Sequence, residues 1–492
     1  MEIDANDSNG LKKENKSIPS LMEGVLKDPK ARKYAIIFAG LATFLSAFTT
    51  TAVTVAIPTI AKLFEMDAVF QNWIATIFLL AVAIFSVPFG KLSGKFGLKK
   101  FLCLGMITIG IGCAGGALAW NAETLLVFRA IQGIGSAMLS VSSMALVAQA
   151  IPLQERGKAL GMNISAVYIG LTIGPVFGGF ITQNAGGIIP GIAGWQWIFL
   201  IVIPFLILNL IIGFLKVPNE WKMGENDKFD YIGTLLYAIG IVFGIYGFTT
   251  INTLSGLILT IMGVIILIGF AIYELRLNTP VFEVKLFKNM KFTSATLAAL
   301  ISYLATFVVT YIITYHLQYI KGMDPQTSGI VLIVTSGLMA IVAPLSGRLS
   351  DKIDPQKLSA LGMFLVAISL FMLSFLDAST PLYFTVIAMA IEGIGIGLFT
   401  TPNTNAIMGS IERKYTSIAS ATVATARVIG QTLSLGILTI IFAVIMGSSK
   451  IIPAVYPQLI LSSKIAFIIS TILCVIAIAL SFVGIKSTKR AK

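Results

Sequence analysis

Fourteen times along 492 residues the chain runs apolar for about twenty residues, the length a helix needs to cross the ~30 Å hydrocarbon layer of a bilayer. These blocks begin near Tyr34, Trp73, Phe101, Thr124, Ala159, Trp197, Tyr231, Leu254, Phe292, Gly329, Leu358, Leu382, Ala419 and Ile465. In lipid each span must satisfy its own backbone, so each is expected to be a helix. Apolar residues make up 56% of the chain and charged residues 12%, and the mean hydropathy is +0.91. A water-soluble domain of that make-up would leave large apolar patches facing solvent. The expected class is an all-α polytopic membrane protein.

The net charge of +13 would suggest nucleic acid in a soluble protein, but its placement has another meaning. With a cytoplasmic N-terminus, 29 of the 35 Lys and Arg fall in cytoplasmic tails and loops. Lys62, Lys321, Lys450 and Lys464 fall outside, and Arg129 and Arg427 lie within spans. That bias orients the chain with both termini in the cytoplasm of a cell membrane, and no nucleic-acid partner is expected. Residues 1–33 read as a polar cytoplasmic tail rather than a cleaved signal, and 487–492 as a second tail.

Cys103, Cys113 and Cys474 lie in spans without metal-ligand spacing and read as small packing residues. There is no GxxxxGK[ST] loop to hold a nucleotide and no nucleophile–base set. Neither enzyme activity, nor a metal, nor a cofactor is expected.

The chain repeats itself. GKLSGKFGLKK (90–100) follows the second span, and GRLSDKIDPQK (347–357) follows the tenth. AIQGIG (130–135) lies in the fourth span and AIEGIG (390–395) in the twelfth. Both pairs match six spans to six spans with two extra between them, in the same orientation, as expected of parallel repeats about an axis along the membrane normal. The expected division is an N-terminal half at 34–217, a linker with two inserted helices at 218–275, and a C-terminal half at 276–486. The inserted spans carry no ionisable residue between Tyr231 and Ile272 and are assigned no chemistry.

These segments resemble the major facilitator superfamily, and the fourteen spans resemble its drug:proton antiporter branch. GKLSGKFGLKK is similar to the loop signature after the second helix, and RAIQGIGSAM (129–138) to the fourth-helix signature with its buried arginine. GLTIGPVFGG (170–179) resembles the fifth-helix antiporter signature, and WQWIF (195–199) the opening of the sixth. The resemblance implies two six-helix halves that rock about a midplane site and exchange a hydrophobic or cationic drug-like compound for protons; a monomer is expected. Export of an endogenous metabolite or lipid-like molecule with weak coupling is an alternative. A non-transporting receptor or scaffold on the same fold is another.

Within GLTIGPVFGG, Gly170, Gly174 and Gly178 recur on one helix face, Gly179 follows, and Pro175 removes a backbone hydrogen bond and bends the helix. The implied role is a close-packed seam between the halves. Coupling needs a titrating group inside the membrane, where ionisable residues are functional by default. Glu392, near the middle of the twelfth span, and Arg129 are the coupling candidates, and Arg427 reads as structural. The lone His316 reads as a packing residue, and Trp195 and Trp197 as an aromatic belt.

Departures from the family pattern matter. The first-helix signature usually carries an aspartate where Thr49 stands, and an asparagine where Thr54 stands. In the loop signature Gly94 replaces an aspartate and Lys95 an arginine; Gly90 and Gly97 are kept. The acid–base pair survives in the second copy as Asp351 and Lys352, so a weaker latch is expected at the first. Thr49, Thr50, Thr54, Tyr303, Tyr311, Gln318, Asn403 and Asn405 are the candidate linings of a mostly apolar substrate cavity, with Glu392 favouring cations.

Overall fold

The computed structural model describes residues 26, 28–222, 230–277, 282–350, 352–411 and 416–490. Among them, fourteen helices are long and apolar enough to cross a membrane. They are α1 (Pro29–Leu63), α2 (Ala68–Phe96), α3 (Leu98–Ala117), α4 (Ala122–Ala150), α5 (Leu153–Asn184) and α6 (Gln196–Leu200 continued by Val202–Lys216). Then follow α7 (Tyr231–Thr249), α8 (Leu254–Arg276) and α9 (Met290–Tyr315, continued by a π turn His316–Ile320). The last five are α10 (Pro325–Ser350), α11 (Pro355–Leu373), α12 (Leu382–Met408), α13 (Thr416–Ile445) and α14 (Tyr456–Arg490).

Short polar residues start the helices at the membrane edges by accepting otherwise orphaned amides. Asp28 accepts from Lys30 N at 2.9 Å with Pro29 at the first helical position, and Asp67 accepts from Phe70 N at 2.6 Å. Asn121 and Thr124 form a reciprocal box at the start of α4.

The sequence repeat is a repeat of packing. A Cβ added to Gly135 of α4 would lie 2.7 Å from the Gly105 carbonyl of α3; one added to Gly395 of α12 would lie 2.8 Å from the Gly362 carbonyl of α11. Likewise Gly133 packs on the backbone of Phe78 in α2, and Gly393 on that of Thr335 in α10. The same helix pairs thus touch through the same glycines in both halves. In each pair only a missing side chain allows the backbones to approach so closely.

The two halves meet mainly where α5 packs on α10 and α2 on α13. On the face opposite the termini, here the distal face, this interface is shut. Asn184 Nδ2 donates to Gln326 Oε1 at 2.7 Å, Gln318 Nε2 to the Val55 carbonyl at 2.8 Å, and Tyr319 Oη to Gln71 Oε1 at 3.0 Å. Ala68 N donates to the Ser449 carbonyl at 3.2 Å, and Lys450 Nζ lies 2.7 Å from Glu65.

The inserted pair lies along a seam. Tyr237 of α7 donates to the Ala83 carbonyl of α2 at 3.0 Å, and Phe248 of α7 lies against Gly436 of α13, so α7 touches both halves. α8 packs on α7 and leaves Leu257, Ile261, Ile265 and Ile268 exposed, as a lipid-facing helix would.

One expectation is corrected here. Trp195 is not part of an interfacial belt: it is 2% exposed and packs edge-on against Phe64 and Phe199. The chain turns back at Gly194, whose Cβ position is occupied by backbone of α5, and this draws the indole inward.

Candidate functional site

The fifth-helix signature has two working faces. Gly170, Gly174 and Gly178 pack on α1: their Cβ positions are taken by the Phe44 carbonyl, Thr51 and the Ala52 carbonyl. The glycine stripe therefore joins two helices of the same half rather than the two halves. The contact between halves is made by the next face round. A Cβ on Gly329 of α10 would meet the backbone of Pro175 (3.1 Å to its carbonyl carbon), one on Gly179 would meet the Pro325 backbone, and Thr172 Oγ1 lies 3.5 Å from the Ser336 carbonyl. Residues 168, 172, 175 and 179 recur at helical spacing, so Tyr168 shares that face. It is half-buried there.

Arg129 lies about 10 Å along α4 from its distal end by the ~1.5 Å rise per residue, and it is 1% exposed. Its Nε donates to the Ile74 carbonyl at 3.1 Å. Its Nη1 donates to the Thr49 carbonyl at 3.3 Å and to Gln132 Oε1 at 2.6 Å, and the guanidinium lies 4.5 Å from the Phe78 ring centre. Every oxygen it meets is uncharged. One planar fork thus ties α4 to α1 and α2, which Arg does better than Lys because its donors are fixed in a plane.

Glu392 occupies the place in α12 that Gln132 holds in α4, and Met389 the place of Arg129. It is 2% exposed, and Thr335 of α10 is its hydrogen-bond partner among the described residues, at 3.3 Å from Oε2. The same Thr335 hydroxyl lies 3.1 Å from the Met389 carbonyl. Arg129 and Glu392 are held in different halves, each by its own partners, and they are not paired in this structure.

The remaining sequence-derived candidates divide by depth. Thr54 of α1 and Tyr311 of α9 come from opposite halves, and both are buried. Thr49 and Thr50 turn their hydroxyls back to the Ser46 carbonyl, at 2.9 and 2.8 Å. Thr50 and Tyr303 remain half-buried. Gln318 belongs to the distal closure. Asn403 is buried between α12 and α9, donating to the Ala295 carbonyl at 3.0 Å, and Asn405 is exposed near the proximal end of α12, donating to Ser350 Oγ at 2.7 Å. His316 opens the π turn, is 3% exposed, and its Nε2 has no hydrogen-bond partner among the described residues.

At the proximal face the loop signature is anchored by a residue that sequence reading missed. Gly97 has φ +115°, ends α2 and lets α3 begin at once. The exposed N-terminus of α3 is capped from 120 residues away: Glu220 accepts from Lys99 N at 2.8 Å and Lys100 N at 3.1 Å. An added Cβ at Gly97 would meet the Glu220 side chain at 2.5 Å. In the second copy Asp354 takes the place of Gly97 and caps α11 itself, accepting from Gln356 N at 2.9 Å. Gly90 has open space around it, Lys95 is half-buried in the last turn of α2, and Lys352 is exposed. Asp351 lies outside the described residues.

Comparison with known proteins agrees with this geometry. The sequence family described as the Major Facilitator Superfamily matches residues 39–435 and again 295–492. The riboflavin transporter RibZ of Clostridioides difficile is 26% identical over 462 residues, covering 94% of this chain and 99% of the relative. The multidrug resistance protein Stp of Mycobacterium tuberculosis is 25% identical, covering 83% and 75%. The tetracenomycin C resistance and export protein of Streptomyces glaucescens is 24% identical, covering 82% and 74%. Among solved structures, a bacterial homologue of the human lysosomal transporter Spinster superposes with a TM-score of 0.70 at 16% identity, over 94% of this chain and 98% of that one. With fourteen apolar helices, repeated six-helix packing and this family match over most of its length, the chain is a multi-pass membrane transporter belonging to the Major Facilitator Superfamily.

Proposed function

We propose that this transporter exports bulky, largely apolar organic compounds by alternating access, as a monomer in the cell membrane with both termini cytoplasmic, and that Glu392 carries the coupled proton. The observation that supports coupling is the group of three oxygens formed by Glu392, Thr335 and the Met389 carbonyl. With Glu392 ionised, Thr335 has one proton for two acceptors. With a proton on Glu392, the carboxyl donates to Thr335 and Thr335 donates to Met389, and every oxygen is satisfied. A carboxylate without a counter-charge is costly at that depth, and a bound proton removes the cost. Rocking of the halves that opens a polar path to Glu392 would release the proton.

Export of drug-like compounds is supported by the multidrug resistance protein of Mycobacterium and the resistance and export protein of Streptomyces among the relatives. A second reading, transport of an endogenous compound, is favoured by the riboflavin transporter, which is matched over nearly its whole length. Purified protein in proteoliposomes, given a panel of fluorescent drug-like compounds and riboflavin with and without an imposed pH gradient, separates them. Gradient-driven accumulation of several unrelated compounds supports drug export. Movement of riboflavin alone supports the second reading, and movement of nothing overturns both.

A further inference from the structure

Arg427 has a setting that a structural role does not explain. It is the twelfth residue of α13, about 17 Å from the start of that helix by the ~1.5 Å rise, and it is half-buried. Among the described residues it has neither an ion pair nor a hydrogen bond. An unpaired guanidinium within a membrane span is expensive and is kept where it faces a polar pathway. One turn further, Gly430 brings α13 against α9: an added Cβ there would lie 2.5 Å from the Leu300 carbonyl and 3.0 Å from Tyr303 Cβ. This close approach puts Arg427 one turn from the contact of α13 with Tyr303, and its charge acts on the phenols of both Tyr303 and Tyr168.

Tyr168 comes from the other half, on the face of α5 that carries Thr172, Pro175 and Gly179 against α10. Both tyrosines are half-buried. Among the described residues the group thus brings an arginine without a hydrogen-bond partner together with two tyrosines, one from each half. The distal interface is shut above it by Gln318, Tyr319 and Asn184 with their partners. Glu392 does not neutralise it, being enclosed with Thr335.

We propose that Arg427, Tyr168 and Tyr303 form a recognition point for aromatic substrates that carry a carboxylate or a similar acidic group. The guanidinium fork matches a carboxylate with two parallel hydrogen bonds, and the phenol rings supply faces for stacking. Because the two tyrosines belong to opposite halves, a bound ring would bridge the halves. This rests on the reading that substrate binds between the halves, and it reverses the preference for cations that Glu392 alone suggested.

The test uses the full chain, purified in detergent, titrated calorimetrically with 2-naphthoate, 2-naphthamide and 2-naphthylmethylammonium. Naphthoate is expected to bind at least about tenfold more tightly than either other probe, as a charge-assisted hydrogen bond allows. R427Q should lower naphthoate affinity about tenfold more than amide affinity, and R427K should restore part of it. The proposal is overturned if naphthoate does not bind, if the amide or cation binds as tightly, or if R427Q weakens all three alike. The wild-type comparison needs no variant to fold. Uptake of the same probes by proteoliposomes separates the two levels. If no probe is moved while calorimetry keeps the naphthoate preference, transport fails and the recognition point stands. If the neutral and cationic probes are moved and naphthoate neither binds nor moves, the recognition point fails and transport stands.

Discussion

The guanidinium of Arg129 donates to the main-chain carbonyl of Thr49, at the position of the first helix where the family usually carries an aspartate. The arginine is thus held by neutral oxygens on α1, α2 and its own helix. Arg129→Lys keeps the charge but cannot span three acceptors in a plane. The expected result is a transport rate reduced at least about tenfold, with a loss of stability of about 1–3 kcal/mol for the acceptors left unmade. Transport at the wild-type rate by R129K would contradict it. Thr49→Ala should change little, because the bond is to backbone. Thr49→Asp sets a carboxylate near the cation and should make transport more dependent on pH; an unchanged pH profile would remove this position from the proton path.

The two faces of α5 separate stability from gating. Gly170→Ala places a Cβ 2.6 Å from the Phe44 carbonyl within one half. Gly329→Ala places one against Pro175 across the halves. Both overpack, at a cost of about 1–3 kcal/mol. G170A should lower the melting temperature without altering distal accessibility. G329A should wedge α5 from α10 and raise the distal-open population, read as spin-label distances between the loops at 185–194 and 377–380. Equal distal distances in the two variants would contradict the assignment of faces.

Glu65 and Lys450 pair across the halves on the distal face, both largely exposed. The hydrogen bond and charge of Lys450 hold the Glu65 carboxyl below its ordinary 4.5. A group with a depressed value contributes to closure while it is ionised. That contribution is complete above the ordinary carboxylate range and is lost as pH falls through the depressed value. Distal closure, followed by the same spin labels, should therefore be insensitive to this pair at neutral pH and loosen slightly below about pH 4.5, a small effect as exposed pairs give. Glu65→Gln should abolish that acid response. An equal acid response in E65Q would place its origin elsewhere.

Much of the architecture was legible because hydrocarbon imposes a length. Fourteen apolar blocks became fourteen helices, and AIQGIG and AIEGIG proved to be the same glycine contacts in two halves. What was not legible depends on rotation and on distance along the chain. A glycine stripe announces a close neighbour without saying which one, so Gly170, Gly174 and Gly178 were assigned to the seam between halves when they serve α1. Glu220 caps α3 across 120 residues, and no local pattern pairs an acid with amides that far away. Arg427 stands out in the sequence as an arginine within a span, but nothing local pairs it with Tyr303 of α9, which α13 meets through Gly430. Asn405 looked like a cavity lining by depth alone, yet it binds Ser350 at an exposed proximal site.

The central claim is that Glu392 binds the coupled proton, and Glu392→Gln tests it directly because an amide donates to Thr335 as a protonated carboxyl would. The measurement is made in proteoliposomes on one transported compound, comparing exchange at equal pH with accumulation driven by an imposed pH gradient. E392Q is expected to keep exchange within about threefold of wild type, since an amide imitates the neutral acid, and to lose gradient-driven accumulation. Full gradient-driven accumulation by E392Q would contradict the account.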